Sequence, residues 1–261
     1  WVSLAHADVR EALRNAAIFS TCQTPVPPIE PHVVMQPQGV DPPEHKKFRS
    51  LLAPLFTPAA VAKMHAELRR RSSELLDAFA ATGRCEFGRD FASVLPTGMF
   101  LYLMGMPEDR LPEFVNLSEV FMRSNDEAER AQNIQQIYAV IGEYLDWRAT
   151  RPGDDLGSVL VQARDENGQP LDRQDVLNCG FLLFVAGLDT VTSTMTFIWR
   201  HLAGNERVRH ELITMLDDRE RLSTAVEELL RVHAVANIYR RVKKDMVYRG
   251  ITMKENDRVV L

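Results

Sequence analysis

Residues 181–194 read Phe-Leu-Leu-Phe-Val-Ala-Gly-Leu-Asp-Thr-Val-Thr-Ser-Thr. Five apolar residues lead into Ala186-Gly187-Leu188-Asp189-Thr190, so a carboxylate and a hydroxyl stand halfway along a greasy stretch. A polar group taken out of water without a partner costs roughly 2–7 kcal/mol. The pair therefore belongs either to a solvent-facing polar stripe on a core helix or to the wall of a cavity. Gly187 removes a side chain where something can approach the backbone. Thr192, Ser193, Thr194 and Thr196 add hydroxyls that bend a helix by bonding back to the i−4 carbonyl.

Working outward, Asn167-Gly168 forms a tight turn and Asp172 is placed to cap a helix running from Arg173 to about Ala203, the longest element expected. Its most apolar part, Val176 to Leu188, is interrupted by Asn178 and Gly180 and falls short of the ~20 residues a bilayer crossing needs, so it reads as a buried helix. Upstream, apolar spacing predicts helices over 5–17, 59–81, 91–104, 108–122, 128–148 and 155–164. Pro25, Pro27, Pro28, Pro31 and Pro37 make 21–41 a long irregular loop. Asp41-Pro42-Pro43-Glu44 and Thr57-Pro58 are cap-then-proline starts. After Gly204-Asn205 come helices over 206–216 and 221–232, then short strands near 238–242, 246–248 and 258–261.

The chain has 261 residues, 45% of them hydrophobic, with 31 basic against 36 acidic side chains. That excludes a disordered chain and argues against a nucleic-acid binder, which needs a concentrated cationic excess. Cys22, Cys85 and Cys179 are odd in number, far apart and without metal-ligand spacing, which fits a reducing, cytoplasmic compartment and no zinc site. The sequence opens on Trp1 with no leader or anchor and stops inside a strand at Leu261, so pieces are expected to be absent at both ends. One mainly α domain with a small sheet is the fold class read from these patterns.

Three further groups carry charge in informative places. Glu228 and Arg231 are one helical turn apart, as are His45 and Arg49 beside Lys46 and Lys47. Taken alone, each is an ordinary solvated pair or an exposed cationic face. Arg240-Arg241 lies in a strand, where alternation sends one guanidinium to each face.

In order and spacing this set resembles the cytochrome P450 family. His45-x-x-x-Arg49 looks like the pair that holds the haem propionates, and Ala186 to Thr190 looks like the family's oxygen-activating motif. Glu228-x-x-Arg231 is similar to its Glu-x-x-Arg helix, and Arg240, Asp245 and Gly250 match the strands behind it. The wording Gly-Leu-Asp-Thr is closest to soluble bacterial members of the camphor-hydroxylase branch.

The resemblance implies a fold with a long central helix, a helical bundle and a small sheet, spanning 1–261 as a single partial domain. It implies a haem-thiolate monooxygenase that inserts one atom of O2 into a small hydrophobic substrate such as a terpenoid or aromatic. The cofactor would be haem b. Asp189 and Thr190 would organise water and protons, His45, Arg49 and Arg240 would pair with propionates, Ala186 and Gly187 would lie against the cofactor, and Glu228 and Arg231 would be structural. Phe181, Leu182, Val185, Leu188, Val235 and Ile238, with residues 33–38, would line the substrate pocket. Lys46 and Lys47 would face an acidic ferredoxin-type electron donor; neither nucleic acid nor a membrane is expected as a partner. The departure is the axial cysteine: no Cys stands in the family's ligand setting, so that region is expected beyond Leu261 and the chain alone is expected to be inactive. A non-catalytic all-α ligand-binding module and a degenerate paralogue remain as alternatives from other classes.

Overall fold

The computed structural model describes residues 1–3, 5–22 and 33–261. Pro25, Pro27, Pro28 and Pro31 of the expected loop lie outside them. Helix α8, Arg173–Gly204, is the axis of the bundle, and it starts where the sequence says: the Asp172 carboxylate accepts from the backbone N–H of Gln174 at 2.8 Å. Around it pack α4 (Val94–Met104), α5 (Leu111–Arg123), α6 (Glu127–Thr150) and α7 (Leu156–Val161). Phe100 of α4, Phe114 of α5 and Phe184 of α8 form a triangle with ring centroids 5.7–5.8 Å apart. A second contact sets Phe181 against Phe121 and stacks it on Tyr138, with centroids 5.6 and 4.8 Å away. Each such ring buries a large apolar surface and adds stacked, tilted or edge-to-face attraction, which fixes the rotation of α8 about its own axis.

By length and composition α8 is apolar enough to cross a membrane, contrary to the sequence reading of a run that was too short. Its N-terminal half, however, is enclosed by the surrounding helices, and several of its polar side chains have protein partners. Thr192, for example, donates to the Ala92 carbonyl at 2.9 Å.

The remaining elements frame this core. Helix α1 covers His6–Arg14, shorter than expected, and α2 covers Glu44–Leu52. Helix α3, Pro58–Ala80, begins as the Thr57-Pro58 signal requires, with Thr57 Oγ1 accepting from Ala60 N at 3.2 Å. Helices α9 (Glu206–Ile213) and α10 (Arg219–Val232) follow α8. Strands β1 (Phe19–Ser20), β2 (Tyr239–Val242) and β5 (Arg258–Val260) form an antiparallel sheet ordered β1-β2-β5, and β3 (Met246–Tyr248) pairs with β4 (Ile251–Met253). The final strand has partners, since β5 pairs with β2 and Val260 bridges Val2.

Asp41 is a correction. Its side chain does not cap α2, whose N-cap is Pro43. It accepts instead from Thr21 N at 2.9 Å and from Lys243 Nζ at 3.3 Å, tying the segment after β1 to the loop after β2. Partial burial pushes its pKa up, but the donors from Ser20, Thr21 and Lys243 outweigh that and hold it below the usual carboxylate value.

Two predictions follow from this packing. Phe114→Ala should cost about 3–5 kcal/mol in denaturant unfolding, because it opens a void shared by three helices; a loss near 1 kcal/mol would show that the triangle does not hold α8. Because the folded-state pKa of Asp41 is depressed, its contribution is present above the unfolded value and is lost as pH falls through the folded one. Asp41→Asn should therefore narrow the stability gap to wild type as pH drops below about 4, read from urea midpoints; a gap independent of pH would contradict this.

Candidate functional site: a cavity between α2, β2 and the central helix

Segment 33–40, the start of α2, residues 236–240 leading into β2, and Asn178 of α8 enclose a cavity of about 780 Å³. Its apolar wall includes Val33, Val34, Met35, Val40 and Ile238, and its cationic wall includes His45 and Arg240. Arg240, the second residue of β2, lines the cavity together with its neighbour Tyr239. The guanidinium is half-buried and donates to the Tyr239 carbonyl at 2.7 Å, with no carboxylate in hydrogen-bond reach among the described residues. Burial lowers its basicity, opposed only by the negative charge of Asp41. Gln36, 4% exposed, also borders the cavity; its Nε2 donates to Asp175 at 3.0 Å, and Lys47 pairs with the same carboxylate at 3.1 Å.

The sequence-derived site residues fall into three groups. His45, Arg240 and Ile238 line this cavity. Arg49, one turn after His45 on α2, is exposed and outside the lining. Phe181 and Leu188 were expected in the pocket but are 0% and 1% exposed, packed in the bundle core, because the aromatic contacts turn their stripe of α8 inward. Leu182 is buried as well, at 9% exposed, and Val185 is half-buried; neither lines this cavity. Val235 is half-buried and stands just before the lining segment 236–240.

Ala186 and Thr190 lie on the side of α8 turned away from the aromatic triangle, with Gly187 and Asp189 on the two flanks between. Ala186 is exposed, and nothing lies within 4 Å of where a Cβ on Gly187 would stand. Thr190 Oγ1 donates to the Ala186 carbonyl at 2.7 Å, the i−4 back-bond its position suggests. Asp189 is held by Arg123 of α5 at 3.5 Å and accepts from Ser193 Oγ at 3.3 Å. Glu228 and Arg231 form a bidentate pair within α10, at 2.7 Å on both arms, and both are exposed. The Arg231 guanidinium holds the Glu228 carboxyl below its ordinary pKa.

Of the three free thiols, Cys22 borders the cavity, Cys85 is exposed, and Cys179 is buried, which pushes its pKa up to about 12. No cluster of three or more His, Cys, Asp or Glu among the described residues is arranged to hold a metal ion. Sequence reasoning missed Asn178, read only as an interruption of an apolar run, and missed Arg123, which carries no motif.

Comparison with known proteins places this arrangement. The cytochrome P450 family profile matches residues 100–261. The chain is 31% identical over 261 residues to a probable cytochrome P450 127A1 of Sinorhizobium fredii, matching 99% of this chain and 62% of that protein. It is 32% identical over 228 residues to the mycinamicin IV hydroxylase/epoxidase of Micromonospora griseorubida, matching 85% of this chain and 56% of that one. Against the solved structure of the Bacillus subtilis bacillaene polyketide synthase cytochrome P450 PksS, it superposes with a TM-score of 0.87 at 25% identity, covering all of this chain and 67% of the other. The chain thus spans about three-fifths of the length of the curated relatives it matches. With a family profile over most of its length and the same fold throughout, the chain belongs to the cytochrome P450 family.

Proposed function

We propose that this chain forms the larger part of a bacterial, cytoplasmic haem-dependent monooxygenase that inserts one oxygen atom of O2 into a hydrophobic substrate. The observation that carries the reading is Arg240: a half-buried cation on a cavity wall, short of an anionic partner, with His45 on the same wall. A desolvated guanidinium is stabilised best by a carboxylate that matches its planar fork. The two propionates of haem b supply that chemistry, and Arg240 and His45 would hold them, with Arg49 of the same helix reaching in from the exposed side. When bound, haem supplies the redox chemistry that activates O2.

The protein's own contribution is the control of water and protons. The Thr190 hydroxyl spends its proton on the Ala186 carbonyl, so its oxygen is left free to accept a hydrogen bond from water or a reactant at the open face. Asp189, one residue before, keeps contact with Arg123 and Ser193 while part of its side chain reaches solvent. A carboxylate so placed passes protons from outside to the hydroxyl next to it without admitting bulk water. Val33, Val34, Met35, Val40 and Ile238 make the cavity wall largely apolar, consistent with a hydrophobic guest. Lys46, exposed on α2, offers a cationic contact for an acidic ferredoxin-type donor, whereas Lys47 is engaged with Asp175. The axial thiolate is proposed to come from sequence outside these 261 residues.

Arg240→Ala should weaken haem binding by about tenfold or more in a haem titration followed by Soret absorbance, and Arg240→Lys should recover part of the loss. Unchanged affinity would remove the propionate assignment. Haem bound to this chain alone should lack the red-shifted thiolate band in its reduced carbon-monoxide form. Appearance of that band, and its loss in Cys22→Ala, would move the ligand assignment to Cys22. In the complete enzyme, Thr190→Ala should lower product formed per electron consumed by about a hundredfold, the range for loss of a positioned proton-transfer group; full coupling in this variant would contradict the proton-relay role.

A further inference from the structure

Asp175, in the first turn of α8, gives each of its two oxygens to a different part of the chain. Its Oδ1 accepts from Gln36 Nε2 at 3.0 Å, and its Oδ2 accepts from Lys47 Nζ at 3.1 Å. Gln36 belongs to the segment that lines the 780 Å³ cavity, and Lys47 belongs to α2, which brings His45 to the same cavity. Asp175 itself is not part of the lining. One carboxylate therefore ties two pieces of the cavity wall to the central helix.

The two ends of the tie act differently. Gln36 is 4% exposed, and its Oε1 is enclosed with no hydrogen-bond partner among the described residues, so the contact with Asp175 is what anchors the side chain. A carboxylate only accepts, which also fixes the end of the amide that faces α8. Losing this contact strands a buried amide, and the segment that carries it must shift to find another partner. At the other end, His45 and Lys47 are two residues apart on a helix of ~3.6 residues per turn, so they stand on nearly opposite sides of α2. Drawing Lys47 toward α8 turns His45 toward the cavity. The Lys47 ammonium also lies 4.9 Å from the ring centroid of Phe48, a fully buried core residue, which steadies the same rotation.

Resting on the reading of this cavity as the haem site, we propose that Asp175 is a positioning residue: through Gln36 and Lys47 it holds the wall at the spacing that lets His45 meet a carboxylate of the guest. Asp175 touches no guest itself. Its loss leaves His45 and Arg240 in the chain but releases the wall that aims His45. The advantage of a macrocycle with free carboxylates over its ester then falls, while the apolar part of binding stays.

The test titrates the chain with haem and with haem dimethyl ester, followed by Soret absorbance. Asp175→Ala should weaken haem about tenfold, the value of one charge-assisted hydrogen bond, and leave the ester nearly unchanged. Gln36→Leu and Lys47→Met should each give part of that loss, and neither should add to Asp175→Ala, because all three act through one junction. Exchanging the charges, with Asp175→Lys and Lys47→Glu together, should restore most of the preference: the ion pair re-forms, and the Gln36 amide turns over to offer Oε1 to the new ammonium. If Asp175→Ala folds poorly, Asp175→Asn keeps an acceptor for Gln36 and loses only the charge facing Lys47, and it should cost haem about threefold. Equal weakening of acid and ester, full additivity of the three changes, or a charge exchange that restores nothing overturns the positioning role. A wild-type preference for the acid that survives both Asp175 variants overturns this role alone, whereas a wild type that binds acid and ester alike overturns the haem reading along with it.

Discussion

The aromatic triangle of Phe100, Phe114 and Phe184 is the contact on which the rest depends, because it decides which side of α8 meets the core. A helix presents its side chains at fixed angles, so burying Phe181, Phe184 and Leu188 together commits every other residue to a direction. Asn178, Val185 and Asp189 are carried about a quarter-turn away, and Ala186 and Thr190 to the far side. The polar residues of the apolar run are thus a consequence of packing: they occupy the sides the bundle leaves open.

The second constraint is electrostatic. Strand β2 delivers Arg240 to a cavity whose other walls are largely apolar, and the desolvated guanidinium finds a single backbone carbonyl there. The nearby Asp41 is engaged elsewhere, with Thr21 and Lys243, in a contact that closes the cavity by joining the segment after β1 to the loop after β2. The same charge therefore serves the fold, while Arg240 remains available to an anionic guest. This division of labour between a satisfied ion pair and an unsatisfied cation is what distinguishes a structural network from a binding one.

Much of this was legible from the residues. The limits of α8 followed from Asp172 as a cap, from an unbroken 3.6-residue period, and from Gly204-Asn205 at its end. Thr57-Pro58 was legible for the same reason, whereas Asp41-Pro42-Pro43 was not: local cap chemistry lost to tertiary donors that no local pattern encodes. Periodicity revealed that α8 has stripes but not which stripe faces inward, so Phe181 and Leu188 were expected at the pocket although they belong to the core. Strands β1 and β4 were missed because two or three residues are too short to show alternation. The partners of Asn178, namely Tyr138 and Gln174, come together only when α6 and α8 pack.

The central claim is that the cavity walled by His45 and Arg240 is built for a macrocycle bearing carboxylates. Titrating the chain in parallel with haem and with haem dimethyl ester, at low and high salt, tests it most directly. The account requires the free acid to bind more tightly, with the advantage shrinking as salt is added. Equal affinity for acid and ester, unaffected by ionic strength, would contradict it.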